Sequence, residues 1–455
     1  MCAISLTVHA CSLTAPDKGK FFGGETAGTG GADGGSSSGG TGNSAAGGAG
    51  GSGANDGGTN AGGVGGNAGT GGSSGTAGTA GEPPVGDAEF CAYQLDLATE
   101  EYDRFRKVYT DPNDIPRSYD GTTTTVSPSD WTSGFVAGSF WRLYEHTGDD
   151  SWRVTAETWT QALFAQATRT SDHDIGFIIN TSYGNGYHLT ESGSYKTVLQ
   201  QAADSAIKRY SPVVGAIKSW DYSKYTYPVV VDSLMNLELL FRGSELSGDD
   251  QYKQIALTHA LTVAANHFRP DFSSYHVVDF DLNGNVISKS TSQGIDSQSA
   301  WGRGQAWGLY GYTMIFRASG DDRFLTQAQS IADYYTEHPS MPEDGVPYWD
   351  LDSPDYSSIP DYRDTSAGAI AASALFELAN YVTGTRSKKY RAFAIKAVRA
   401  LSGPNYRAAP STNGHFLLRH AVGSYPEKRE VDVALNFADY YYLEALLRCK
   451  ALQSN

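Results

Sequence analysis

The chain of 455 residues is poor in several things. It has 4 cysteines, too few for a disulfide-built scaffold or a Cys-rich zinc site. It is poor in positive charge, with 34 Lys and Arg against 50 Asp and Glu and a net charge of −16. So acidic a chain repels nucleic acid and anionic membranes, and an anionic ligand would need a local basic or hydrogen-bonding pocket. The N-terminal "MCAISLTVHACSLTAP" is too short to span a bilayer and lacks the basic residues that open a signal peptide. Outside the Gly-rich stretch of residues 23–86, no G-x-G-x-x-G, P-loop, H-E-x-x-H or C-x-x-C pattern occurs. "DFDLNGN" (279–285) begins like a calcium loop, but its twelfth position is Ser290 rather than Glu, so it reads as a hairpin turn. The sequence implies no cofactor and no metal.

What is present divides the chain in three. Residues 1–22 form a leader. "VHAC", ending at Cys11, resembles a lipoprotein cleavage box, so membrane attachment would run only through a lipidated Cys11; the alternative is an ordinary disordered N-terminus. Residues 23–86 are almost all Gly, Ala, Ser, Thr and Asn, with too little apolar surface to offset ordering, and are expected to be a disordered tether. Residues 87–455 hold nearly all the aromatics and suffice for one large core. A tethered or released protein would act at the cell surface or outside the cell.

A repeat runs through this last part. "YEHTGDDSW", "SELSGDDQY" and "FRASGDDRF" each place Gly at a helix end and Asp at the start of the next helix. An aromatic then packs into the hairpin: Trp152, Tyr252 or Phe324. "LTESGSYKTV" and "NYVTGTRSKKY" are looser copies. Flanking segments carry apolar residues at i, i+3 and i+4. Ser127 and Pro128 read as cap and first residue of one helix. The pattern predicts about twelve helices in six hairpins. The long loops between them, rich in Trp, Tyr, His and Asp, favour a closed ring with one functional mouth. The clearest strand pair is "SYHVVDFDLNGNVISKS", turning at Asn283-Gly284. Cys91 and Cys449 fall in the first and last helices. They could pair if those helices are neighbours, but buried free thiols are the expectation.

Three constellations could carry chemistry. Asp232 sits inside "YPVVVDSLMNLELL", where apolar surroundings would hold its proton toward neutral pH, as a general acid requires; the competing reading is a helix cap. His173 and Asp174 precede another apolar run. Trp301, Arg303 and Trp307 offer indole faces for sugar rings and a guanidinium for an acidic group.

Taken in order, "WTSGFVAGSFWRLYEHTGDDSW", "HDIGF", "YPVVVDSLMNLELLF", "SSYHVVDFD", "SAWGRGQAWGLYGYT", "PEDGVPYWDLD" and "ADYYYLEALLR" resemble the unsaturated glucuronyl hydrolases, glycoside hydrolase family 88. The resemblance implies an all-α (α/α)6 toroid. It also implies an exo-acting enzyme that hydrates the vinyl ether of a 4,5-unsaturated uronic acid at the non-reducing end of lyase-generated oligosaccharides; a monomer is the expectation, though the sequence does not fix the oligomeric state. By position, Asp232 corresponds to the general acid/base and Asp174 to a second essential aspartate. His276, Gln293, Arg303 and Trp307 correspond to the sugar pocket, with Arg303 supplying positive charge for a carboxylate. Trp131, Phe135 and Trp220 correspond to aromatic walls, and His173 to the neighbour of the second aspartate. Where the family commonly has Asn after the acid, this chain has Ser233, which would alter the acid's pKa or the tolerance for sulfate. Two other readings of the same residues are an (α/α)6 glycosidase of saturated glycans and a non-catalytic glycan-binding toroid.

Overall fold

The hairpin signature dictates one end of the molecule. Gly148, Gly248 and Gly320 take positive φ (66°, 76° and 69°), which glycine adopts without a Cβ clash. The next residue caps the following helix: Asp149, Asp249 and Asp321 accept the backbone N–H two residues on at 2.8, 2.8 and 3.0 Å. Trp152, Tyr252 and Phe324 are then buried as the hairpin closes. In the looser copies Glu191, not glycine, takes the left-handed position, and Thr383 precedes its helix without a side-chain cap.

The structure, a computed structural model, describes residues 84–452. The leader, almost all of the tether and Cys11 lie outside the described residues. Among the described residues there are twelve helices, if Ile175–Ile179, the π-helical Asn180–Gly184 and Asn185–Thr190 are taken as one. The others are Asp87–Val108, Ser133–Thr147, Asp150–Gln161, Gly193–Ala206, Ser233–Ser247, Asp250–His267, Gly302–Ser319, Asp322–Glu337, Thr365–Leu378, Gly384–Leu401 and Asn436–Lys450. Six of them, starting at 133, 175, 233, 302, 365 and 436, pack each against the next, and the last against the first. They form the inner ring of an (α/α)6 toroid and are buried on nearly every face, as at Thr365–Leu378, where every residue is buried. The other six cover the outside with an apolar stripe inward.

Two expectations fail. Helix 133–147 does not start at Ser127. Asp130 takes the Thr132 N–H and hydroxyl at 2.9 and 2.7 Å and is paired with Arg117, so a local turn displaces the first helical turn. Cys91 and Cys449 are not free thiols but form a disulfide, Cα–Cα 6.0 Å. Ring closure makes the first and last helices neighbours, which sequence distance conceals.

Short antiparallel strands fill the long segments that precede the inner helices. Thr123–Val126, Ile115–Tyr119, Arg429–Leu435 and Ala421–Ser424 form one sheet in that order. The hairpin Val277–Phe280 with Val286–Ser290 forms as predicted. It gains a third strand the sequence pattern did not reveal, Tyr227–Val230, in register Val229↔Val278 and Val230↔Val277. That strand runs directly toward Asp232.

Candidate active site

Asp232 stands where strand 227–230 turns into helix 233–247, at the N-cap position, yet its side chain makes no capping hydrogen bond. The turn is held by other groups. Val231 donates its N–H to the His276 carbonyl at 3.0 Å, and the Ile217 N–H donates to His259 Nδ1 at 2.9 Å. His259 Nδ1 is therefore an acceptor, so the neutral ring carries its proton on Nε2 and donates it to Ser233 Oγ at 2.8 Å. Ser233 passes its own proton to the Val230 carbonyl. Burial lowers His259 to about 3, which keeps it neutral. Ser233 thus faces outward toward helix 250–267 rather than the site, so its influence on the acid runs through the turn and not through contact with the sugar. It anchors the turn that presents the acid.

The Asp232 side chain is 14% exposed. Burial pushes its carboxyl up to about 6, against the pull of His173 and with help from the Asp174 charge. Asp174, at the start of helix 175–190, also makes no cap. Burial holds it well above the usual carboxylate value, reinforced by Asp172 and opposed by Arg169.

Each carboxyl faces one histidine, and the hydrogen bonds assign the two rings opposite tautomers. His276 Nδ1 accepts the Ser292 N–H at 3.1 Å, so Nε2–H points at Asp232 Oδ1, 3.6 Å away. Burial lowers His276 to about 3. His173 Nδ1 donates to the Ser219 carbonyl at 3.1 Å, which leaves Nε2 as an acceptor facing Asp174 Oδ1 at 3.4 Å. Both contacts are longer than a good hydrogen bond. Among the described residues, Asp232 Oδ1, His173 Nε2, His276 Nε2, Trp220 Nε1 and Asn236 Nδ2 are buried with no hydrogen-bond partner. Buried polar atoms are normally paired, so five unpaired ones at one mouth mark a place built to receive polar groups.

Aromatic rings frame these groups. The Trp301 and His276 rings lie 4.6 Å apart, and Trp220 is 6.0 and 6.3 Å from His173 and His276. Trp131 packs 5.1–6.0 Å from Phe135, Phe177 and Phe437. Trp131 and Trp220 are half-buried, whereas Phe135 and Trp307 are fully buried and support the wall from behind. Arg303 is only 1% exposed. Its guanidinium pairs with Asp364 at 3.0 Å, donates to the Val422 and Gly423 carbonyls, and reaches Gln293 Oε1 at 2.6 Å. Asp364, 61 residues away, pairs with the Arg303 guanidinium, so the positive charge expected at the mouth is partly compensated, while its Nε has no partner among the described residues and its charge still acts on Asp232. Sequence reasoning missed His259, Ser219 and Asp364, which act only through partners remote in the chain.

The Glycosyl Hydrolase Family 88 model matches residues 106–450. The unsaturated glucuronyl hydrolase of Formosa agariphila is 42% identical over 355 residues, covering 76% of this chain and 88% of that protein. The unsaturated chondroitin disaccharide hydrolase of Streptococcus pyogenes is 32% identical over 362 residues, covering 78% and 90%. A crystal structure of an unsaturated glucuronyl hydrolase specific for heparin superimposes with a TM-score of 0.76 at 40% identity, covering 79% of this chain and 96% of that one. Ring, mouth and match together place this chain in glycoside hydrolase family 88.

Proposed function

We propose that this glycoside hydrolase removes the 4,5-unsaturated uronic acid from the non-reducing end of lyase-generated oligosaccharides, with Asp232 as general acid. The observation that carries the reading is a buried carboxyl poised at about 6 with Oδ1 unpaired. The C4=C5 bond conjugated to the ring oxygen is a vinyl ether. Asp232 delivers its proton to C4, and positive charge develops on C5 and the ring oxygen. Water then adds at C5 and returns a proton to the Asp232 carboxylate. The hemiketal opens, and the unsaturated sugar leaves as a keto acid. His276 Nε2–H faces the carboxylate that forms, and the Asp174 carboxyl beside His173 is a hydrogen-bonding partner for the sugar. A positioned acid of matched pKa contributes about 10²–10⁴-fold.

An inverting glycosidase of saturated chains would need a second carboxylate ionised to activate water. Burial pushes Asp174 well above the usual carboxylate value, which works against its ionisation and supports the hydration reading. The disulfide between Cys91 and Cys449 supports action outside the reducing cytosol, at the cell surface or beyond. The test is spectroscopic: unsaturated uronyl disaccharides should lose their near-ultraviolet absorbance with the protein and keep it with Asp232→Asn. Turnover of saturated chains, or oligosaccharide binding with no absorbance loss, would overturn the proposal.

A further inference from the structure

One buried carboxylate near the mouth takes no part in the proposed chemistry. Asp350 belongs to "PEDGVPYWDLD" and is fully buried. Three donors hold it, and none is a cation. Oδ2 accepts the Ile295 N–H at 2.9 Å and the Ser299 hydroxyl at 2.7 Å, and Oδ1 accepts the Asp352 N–H at 3.1 Å. A carboxylate kept from water without a counter-ion is unfavourable, so its place calls for a reason beyond packing.

The reason lies in what its donors carry. Ile295 and Ser299 belong to the segment between strand 286–290 and helix 302–319, which holds no helix or strand of its own. In that segment the Ser292 N–H donates to His276 Nδ1 at 3.1 Å, and this is what turns His276 Nε2–H toward Asp232. Gln293 Oε1 accepts from Arg303 at 2.6 Å, and the Trp301 ring lies 4.6 Å from the His276 ring. Gly294 is pressed against the anchor: a Cβ there would stand 3.0 Å from Asp350 Oδ2 and 2.9 Å from Thr291 Oγ1. The far end of the segment is pinned by the same stretch of chain. Trp301 forms an isolated antiparallel bridge with Asp350. The Leu351 N–H donates to the Ala300 carbonyl at 2.9 Å, and the Ala300 N–H donates to Asp352 Oδ2 at 2.8 Å. A segment without a ladder of its own must have its polar groups satisfied by such contacts, and they fix its path.

We infer that Asp350 is a positioning residue for the hydration reaction: it anchors residues 291–301 so that Ser292 fixes the His276 tautomer and aims Nε2–H at Asp232. It acts through Ser292 and His276. The inference rests on the hydrolase reading and deepens it by naming what keeps the acid's neighbour in place. A hydrogen bond offered to the ionised form lowers a carboxyl's pKa. Loosening the segment withdraws that donor, so Asp232 keeps its proton to higher pH and its conjugate base is less well received.

The experiment follows the near-ultraviolet absorbance of an unsaturated uronyl disaccharide across pH with the full chain. Asp350→Asn keeps the shape of the side chain but sets an amide NH2 against one of the three donors. It should lower kcat about tenfold and move the alkaline fall of kcat from about 6 to higher pH. Gly294→Ala presses the same segment from the other side with Asp350 intact, and should move the profile in the same direction. Cys449→Ser, which weakens the ring elsewhere, should leave the profile in place. A folded Asp350→Asn with wild-type kcat overturns the inference, and so does a lower kcat with the alkaline fall unmoved, which is what a purely structural role gives. Should Asp350→Asn not fold, Gly294→Ala decides by the same criterion. A wild-type protein that clears no absorbance overturns the hydrolase reading and the inference with it, whereas an active wild type with unaltered variants overturns the inference alone.

Discussion

Two buried carboxylates, Glu444 near the hairpin end of the ring and Asp232 at the mouth, have been treated in opposite ways. Burial would raise Glu444, but Arg448 and Arg142 outweigh it and hold the group at about 2. Tyr310 and Ser373 donate to it as well. From Glu444 a belt of charge runs around the inner ring: Arg448 to Glu377 at 2.7 Å, Glu377 to Arg317 at 2.9 Å, then Glu238 and Asn180, with Asn185 returning to Tyr440 at 3.0 Å. All six inner helices contribute. Asp232 meets the reverse: an apolar run on one side, a neutral histidine at 3.6 Å and no partner for Oδ1 among the described residues. One end satisfies its charges to hold the ring together. The other leaves them unsatisfied, at a cost in stability, so that they can act.

The largest expected effect is at the mouth. Asp232→Asn should lower turnover by about 10³-fold or more while the fold persists. Its pH signature sharpens the contrast. The wild-type acid must be protonated, so activity should fall as pH rises through about 6. Because the folded value lies above the ordinary 3.8, the native state binds the extra proton, and this group's contribution to stability declines as pH rises from 3.8 to about 6. Asp232→Asn should therefore melt higher than wild type at pH 7–8 and show no such gain near pH 4. Glu444 has the opposite sign. Its stabilisation is complete above the ordinary 4.5 and is lost as pH falls toward about 2.

Glu444→Gln tests the other end. It strands Arg142 and Arg448 in the interior and should cost about 3–5 kcal/mol in denaturant unfolding, with normal kcat in the protein that stays folded. Breaking the Cys91–Cys449 bond by Cys449→Ser should cost about 2–4 kcal/mol and leave turnover unchanged. Ser233→Ala removes the link to His259 and should lower kcat about tenfold with little change in KM; Ser233→Thr should restore it, and the pH profile should shift only in the alanine variant. That expected loss equals about 1.4 kcal/mol. Smallest is the cap Asp249→Ala, worth about 1 kcal/mol in a melting experiment and nothing in kcat. Were Glu444→Gln to abolish turnover in folded protein, or Asp232→Asn to be less stable at neutral pH, the division between the two ends would fail.

The hairpin end was legible because its physics is local. Gly148, Asp149 and Trp152 act within five residues of one another, so spacing alone exposes the turn, the cap and the buried ring. The mouth was legible in part. Asp232 and Asp174 stand out as carboxyls beside apolar runs, but the strand 227–230 that carries Asp232 pairs with 277–280, and no local pattern announces that pairing. Arg303 read as a free cation because Asp364 lies 61 residues on.

By itself, then, the sequence determined the helical hairpins and their count, and singled out Asp232 as a candidate acid or cap, since these follow from near neighbours along the chain. Only the tertiary structure decided that the ring closes on a disulfide between its ends, that Ser233 turns toward His259, and that Arg303 pairs with Asp364. Those outcomes depend on groups tens to hundreds of residues apart, brought together by the packing of the whole ring.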